Sequence, residues 1–501
     1  MITRHCIITR CIMSIKAFIV IILPMLVLVG CTSCTKVTKT SISGSIVLIN
    51  DTEDPANDPV DFAGVTVSLY QLAILDTAIT RINQEYPQIG VPISQETEFD
   101  YRLATPVASA TTHADGKFSL DDIQQGRYNI VISKDGWGPV VRYDVSVNDK
   151  SEVSLSGNGI CDYKGTSSKG EISTVTLYPE VSLPQLVTGN WTFKPDHSYI
   201  VNFDTNILGS CVFEGRAQLL LSQGVNLNIN GVAEFDSTAG YSWVRSKTIG
   251  SNLTEIPRWN SVKFYANDIS ISNLVVSNAN TGIVMYGENS TLKNSRIFCA
   301  TNGVYLAENY SSLENCVFSQ IDSRAAIYDQ SEGSSVIKHW VLRSIFYQCT
   351  EGIRTLGQPI AIMDNYFLEN VEALISFRGY HKIQNNEFDR NESGIVINGN
   401  IYNLDYNRFY SNENSIIFSV TYHTSISNPR IKDNDFYQTS GFAIKLWPRT
   451  INTDINATNN YWKGENIDAL VVDVVDIPLV VYHLIYLPKR TSPVPTAGIR
   501  G

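Results

Sequence analysis

Charge is scarce in this chain: of 501 residues, 17% are Asp, Glu, Lys or Arg. The 38 basic residues form no run, and with 49 acidic ones they leave a formal net charge of −11. A nucleic-acid protein needs a basic face for phosphate, so that class is excluded. Histidine is limited to 7 residues and shows no HExxH pairing, which removes the zinc-hydrolase signature. There is no nucleophile elbow and no glycine-rich phosphate loop. The cysteines match no zinc spacing. No cofactor or metal is implied by any motif, and no catalytic residue is named by one.

What the chain has instead is repetition. Val276, Ile297, Phe318, Phe346, Phe367, Phe388, Phe409, Phe436 and Trp462 stand 21, 21, 28, 21, 21, 21, 27 and 26 residues apart. Five positions before them lie Ile271, Leu292, Leu313, Val341, Ile362, Ile383, Leu404, Ile431 and Ala457. Seven after them lie Ile283, Val304, Ala325, Ile353, Leu374, Ile395, Ile416, Ala443 and Ala469. All 27 positions are apolar in a chain that is 43% hydrophobic. A period near 21 is a solenoid signal. The unit is too polar for paired helices, and runs such as Gly282–Tyr286 and Ser393–Ile397 are of β type. Three short strands per coil would stack these positions into apolar ladders that only neighbouring coils bury. Asn273, Asn294, Asn315, Asn365, Asn386, Asn407, Asn434 and Asn460 recur just before the anchors. There Asn tolerates a left-handed bend, and its amide can bond along the stack.

These residues carry a resemblance. The chain from 185 to 487 resembles a right-handed parallel β-helix of the pectate-lyase-like superfamily, an all-β fold. Its ending, Asn459-Asn460-Tyr461-Trp462-Lys463-Gly464, is similar to the closing coil of bacterial β-helix repeat proteins. The resemblance implies the fold; lyases, hydrolases, adhesins and inert stalks share it.

Residues 1–30 read as a leader. A basic flank precedes Ala17–Leu23 and Met25–Gly30, of a length that fits an export signal better than a membrane span. Leu28-Val29-Gly30-Cys31 resembles a bacterial lipobox, which implies lipidation of Cys31 and a membrane tether. Met13 is a more usual start than Met1. Thr32 after the cysteine departs from the inner-membrane retention pattern, which points to the outer membrane; which face of it is left open.

Residues 41–155 read as a small β-sandwich. Ile42–Val47 and Gly64–Leu69 are strands, and Asp115-Gly116 supplies a tight turn into Lys117–Leu120. The order resembles the carboxypeptidase regulatory-like domain of exported proteins, a spacer or docking module, with an insertion near 72–105 that departs from it. His113 is expected on the surface. A Gly/Ser-rich linker fills 156–184, irregular first coils and a cap are expected over 185–235, and 488–501 reads as a disordered tail. Cys299, Cys316 and Cys349 lie beside core anchors and are expected to pack inside, while Cys161 and Cys211 are a candidate disulfide.

Insertions mark the candidate site. The gap between the third strand and the next coil is normally seven residues. It grows to 14 between Ile327 and Val341, 13 between Phe418 and Ile431, and 12 between Lys445 and Ala457. All three leave at one corner, and insertions clustered on one side mark a binding face. Four coil steps of about 4.8 Å put the first two loops about 19 Å apart, walls of a trough. Its floor would hold Gln358, Arg378, Tyr380, His381, Lys382, Asn400 and Tyr402. Its walls would hold Tyr328, His339, Trp340, Tyr422, His423, Arg430, Trp447 and Arg449. Aromatic rings and cations together suit sugar rings with carboxylates or sulfates.

Two functions fit. The first is a lipid-anchored envelope protein whose β-helix binds a polysaccharide or a partner protein without catalysis. The second is a polysaccharide lyase or hydrolase. A lyase would use Arg378 or Lys382 against the uronate carboxylate and His381 or Tyr380 as base. The floor lacks the carboxylates a calcium-dependent version needs. Asp364, Asp389, Asp433 and Asp435 sit at turns, where Asp usually bonds local backbone.

Overall fold

The computed structural model describes residues 39–500 except 51–54, 148–152, 156–170, 237, 239, 251–254, 309, 331–335, 358, 378–380, 399–400, 420–429, 438–440, 447–453, 464–465 and 473–483. The leader, Cys31 and Cys161 therefore lie outside the described residues. From Val181 to Val472 the chain winds through 13 coils, one for each strand of a parallel sheet running from Val181–Ser182 to Tyr461–Trp462. This second sheet carries the anchors. A first sheet, Ser270–Ser272 to Ile431–Lys432, carries the positions five before them, and a third, Leu186–Val187 to Val471–Val472, those that follow. The three-sheet solenoid expected from the repeat is what forms.

Register explains the ladders. Ile271, Leu292, Leu313, Val341 and Ile362 pair in succession, as do Phe346, Phe367, Phe388 and Phe409. The phenylalanine rings stack face to face from Phe318 to Phe436 and end on Trp462, with centroids 4.6–5.1 Å apart. Three expected third-sheet positions are shifted. Ile327 pairs with Val304, Ile444 with Ile416 and Val471 with Ile444, because extra residues enter the preceding turn. Ala325 and Ala443 remain buried beside the ladder, whereas Ala469 is exposed.

Asparagine divides into two roles. The left-handed corner is taken by Asn273, Asn294 and Asn315, then by Arg343, Asp364, Asn385, Tyr406, Asp433 and Asn459. One residue later Asn365, Asn386, Asn407, Asn434 and Asn460 form a buried amide ladder, each Nδ2 donating to the next Oδ1 at 3.0–3.1 Å. The same amides also donate to backbone carbonyls such as Val341 and Ile362, so polar groups sealed inside the stack are satisfied. A second ladder, Asn370–Asn391–Asn412, lines the opposite corner at 2.9 Å. On the third sheet a side chain at Gly394 would meet the Ser415 carbonyl at 2.6 Å, so glycine lets adjacent coils close.

The first coils are irregular in length, as expected, yet pair in register. Tyr199, Leu219, Val244 and Val276 are successive partners, but 20, 25 and 32 residues apart. The sandwich also extends beyond 155: Glu171–Leu177, placed in the linker by the sequence, pairs in parallel with Lys39–Leu48. Opposite stands a five-stranded sheet that includes Thr66–Gln71, Gly126–Lys134 and Trp137–Val147. Gly116 takes φ 76° in the Asp115-Gly116 turn, and His113 is exposed.

The 72–105 insertion and the tail dock on the solenoid. Helix α1, Thr77–Glu85, is capped by Asp76, whose carboxylate accepts from the Ala78 and Ile79 amides. Its Ile79 and Ile82, with Ile89, Val91 and Ile93, pack on Val317, Ile345, Tyr366 and Leu368 of the second sheet's outer face. Further along, Asp100 bonds Arg245 at 3.0 Å and Arg102 at 2.7 Å, and Glu98 bonds Arg296 at 2.9 Å. Burial acts to raise the Asp100 carboxyl, but Arg245 and Arg102 hold it down at about 2. The tail is ordered rather than disordered. Val494 N donates to Asp435, Gly498 N to the Tyr406 carbonyl, and Arg500 pairs with Asp364 at 2.7 Å. These contacts run the tail back along the second sheet until Gln88 donates to the Arg500 carbonyl.

Phe388→Ala removes a ring from the middle of the stack and should destabilise the solenoid by about 3–5 kcal/mol. A lowered midpoint in denaturant unfolding measures it. Arg245→Ala leaves Asp100 buried against Arg102 alone and should lower stability by about 3–5 kcal/mol, read from the same unfolding curves.

Candidate functional site

The second sheet's outer face is taken by the insertion from Trp243 to Tyr366 and by the tail from Asp364 to Tyr461. The third sheet and its corner with the first carry the exposed tyrosines. All three insertions leave at that corner, between Ala325–Asp329 and His339–Leu342, between Asn414–Phe418 and Ile431–Lys432, and between Phe442–Leu446 and Ile455–Asn456.

Strand alternation then decides where each expected residue points. Tyr328 turns outward on the third sheet, and Trp340 and Lys382 turn outward on the first, all half-buried. Trp340 and Lys382 flank Ala361 on one outward column, two coil steps apart. Arg430 is exposed at the end of the second loop, near Asp405 at 3.8 Å. Arg378, Tyr380, Tyr422, His423 and Trp447 lie outside the described residues, as do Gln358, Asn400 and Arg449; Tyr402 lies on the strand Ile401–Asp405, with its side chain outside them too.

His339 and His381 correct the expectation. They share strands with outward Trp340 and Lys382 but are one residue out of phase, so both point into the solenoid, at 0% and 1% exposure. His381 Nε2 lies 3.3 Å from Thr355 Oγ1, and its Nδ1 accepts from the Ile360 amide. His339 Nδ1 accepts from the Ser311 amide, with Asp329 at 3.7 Å from its other nitrogen. That distance is too long for a hydrogen bond. Burial holds the imidazole neutral and pushes its pKa down to about 4.

The exposed side chains form a strip that the sequence reading did not assemble. Tyr265 and Tyr286 stack at 4.7 Å and 10°, and Tyr305 and Tyr328 at 5.7 Å and 19°. The next outward residue, Arg354, grips Glu351 with two 2.6 Å bonds and lies 5.3 Å from the Phe377 ring centre. Lys338 stands 5.3 Å from the centre of the exposed Tyr310 ring at the same corner. Because the tyrosines face one another within each pair, and the pairs are offset by two residues along the strand, each pair offers hydroxyls and ring edges at its side. Tyr305 donates to Gln330. On the sheet edge Glu372 neighbours Glu351; burial raises its carboxyl, Glu351 adds to the rise and Arg354 opposes it. No single column marked these residues in the sequence: Tyr305 and Arg354 stand eight residues after Ile297 and Phe346, whereas Tyr286 and Tyr328 stand ten after Val276 and Phe318.

The four described cysteines are buried. Cys316 and Cys349 are buried in the solenoid, Cys299 occupies a left-handed corner, and Cys211 is buried in the first coils. Burial pushes the Cys316 and Cys349 thiols up to about 12, away from reactive thiolate.

These features define a right-handed parallel β-helix protein. Residues 281–461 match the family described as right handed beta helix region. No curated protein matches the chain. A solved type II cohesin–X-dockerin complex from Acetivibrio cellulolyticus is similar at 19% identity over 28% of this chain, with a TM-score of 0.15. The match spans 58% of that chain, and at that score it carries no structural argument.

The His339 environment predicts acid sensitivity. An unfolded imidazole titrates near 6.5 and the folded one at about 4, so the unfolded state binds the proton first and stability rises with pH between them. Above about pH 6.5 the contribution is complete; acidification to about pH 4 should remove about 3 kcal/mol. Unfolding curves across that range should show a shallower slope in His339→Gln.

Proposed function

We propose that this is a cell-envelope protein, tethered to the outer membrane by lipid on Cys31, whose β-helix binds polysaccharide along the third-sheet corner without catalysis. The observation that carries the reading is two stacked tyrosine pairs on successive coils of the third sheet, Tyr265 on Tyr286 and Tyr305 on Tyr328, the second pair two residues earlier in the strand and followed by Arg354. They lie on a face left clear by the docked insertion and tail. Within each pair the hydroxyls stand one coil step apart, about 4.8 Å, and the two offset pairs together suit an extended polyhydroxyl chain. Lys382, Lys338 and Trp340 at the same corner add cations and an indole for acidic sugars.

The burial of His381 favours binding over lyase chemistry. A base must reach the proton it abstracts, and this imidazole is bonded inside the solenoid. The sandwich, which resembles a carboxypeptidase regulatory-like domain, acts as the docking module between lipid and solenoid.

The test is co-sedimentation of the full-length chain with acidic and neutral polysaccharides, while unsaturated-uronate absorbance and reducing ends are followed. Retention without products is expected, weakened about tenfold in Tyr328→Ala or Lys382→Ala. Product release would replace the binding reading with an enzyme. No retention across the panel would leave a stalk or a protein-binding surface. Fatty-acid labelling should be lost in Cys31→Ala; unchanged labelling would remove the anchor from the proposal.

A further inference from the structure

A concavity lies away from the third-sheet corner, where the sandwich meets the first coil. It is a cleft of about 700 Å³ whose walls include Thr66, Tyr101, Lys134, Asp135, Trp137 and Glu180. That volume falls in the range of small-molecule sites, about 300–1,000 Å³, which favour domain junctions.

The walls are held by backbone bonds rather than by chance contact of two modules. Gly138 N donates to the Tyr178 carbonyl at 2.8 Å, and Glu180 N to the Gly136 carbonyl at 2.9 Å. Trp137 and Pro179 are paired across the junction. The Asp135-Gly136 turn and the Tyr178–Glu180 segment therefore form one preformed unit, so a ligand would meet little ordering cost there.

The chemistry of the walls selects the ligand. Lys134 and Asp135 bring opposite charges, and Glu180 is answered by Lys247, whose charge opposes the rise that burial and Asp135 impose on its carboxyl. Counting Lys247, which acts on Glu180 from outside the lining, two cations meet two carboxylates, which disfavours an anion or a cation. Lys134 already donates to the Ala63 carbonyl at 2.8 Å and is fixed by it. Around the charged groups stand the Thr66 and Ser133 hydroxyls, the half-buried indole of Trp137 and the phenol of Tyr101. Balanced charge, dense donors and acceptors and one aromatic surface describe a neutral polyhydroxyl ligand with an apolar ring face. We infer that this junction cleft is a binding site for a neutral mono- or disaccharide, independent of the polysaccharide surface proposed above.

Saturation-transfer NMR and calorimetry on the full-length chain, with glucose, galactose, N-acetylglucosamine and their β-linked disaccharides, test it. At least one sugar should bind, with affinity reduced about tenfold in Trp137→Ala and comparably in Glu180→Ala, and unchanged in Tyr328→Ala. Trp137 also packs on the sandwich core, so if its variant loses the native circular dichroism spectrum, Glu180→Ala decides. Absence of binding by every sugar overturns the inference, as does binding that survives both cleft variants. Binding lost in Tyr328→Ala alone also overturns it, because the signal then belongs to the third-sheet corner and leaves that reading standing.

Discussion

Each coil of this protein can bury its inward side chains only against the coil above and the coil below, and everything else follows from that in-register contact. A phenylalanine on one coil meets a phenylalanine on the next because parallel pairing places like positions one strand spacing apart. The same geometry lets an asparagine amide find its own kind along the stack, which is why a polar residue can be sealed inside at Asn386 and Asn407 at little cost. Left-handed corners complete the scheme by turning the chain sharply between sheets without breaking the ladder.

The stack has three outer faces, and the chain uses its own ends to occupy one of them. Where the second sheet's outward residues are apolar, at Val317 and Ile345, they receive helix α1. Where they become charged, at Glu387, Arg408 and Asp435, they receive Tyr86 and the tail. Gly498 is needed there at φ 86°, since a Cβ would meet Glu387 Oε1 at 2.7 Å. The sandwich is consequently fixed along the solenoid, and Lys39 to Gly501 forms one compact unit.

Much of this was legible in the residues, and the misses have physical causes. Positions with strict spacing, such as Phe367 or Ile383, declared their burial because a ladder tolerates no slip. Coils 20, 25 and 32 residues long hid Tyr199, Leu219 and Val244, since loop length does not alter what the strands pair with. The tail looked disordered because its proline and glycine content says nothing of a partner hundreds of residues away. The insertions leave at one corner, as their spacing implied, but facing within a strand depends on a one-residue phase. That phase put Trp340 outside and His339 inside. Composition cannot distinguish the two.

The bond between Gln88 and the Arg500 carbonyl closes a loop 412 residues long. It bears on how the molecule carries mechanical load. A pull on the amino end reaches the first coil through Lys39–Leu48 and its partner Glu171–Leu177. The insertion carries part of it onto the flank of later coils, through contacts at Arg245, Arg296 and Glu387 spread along the second sheet. Bonds loaded in parallel share a force that bonds loaded in series would meet one at a time. A rod gripped along its length in this way resists being unwound from one end.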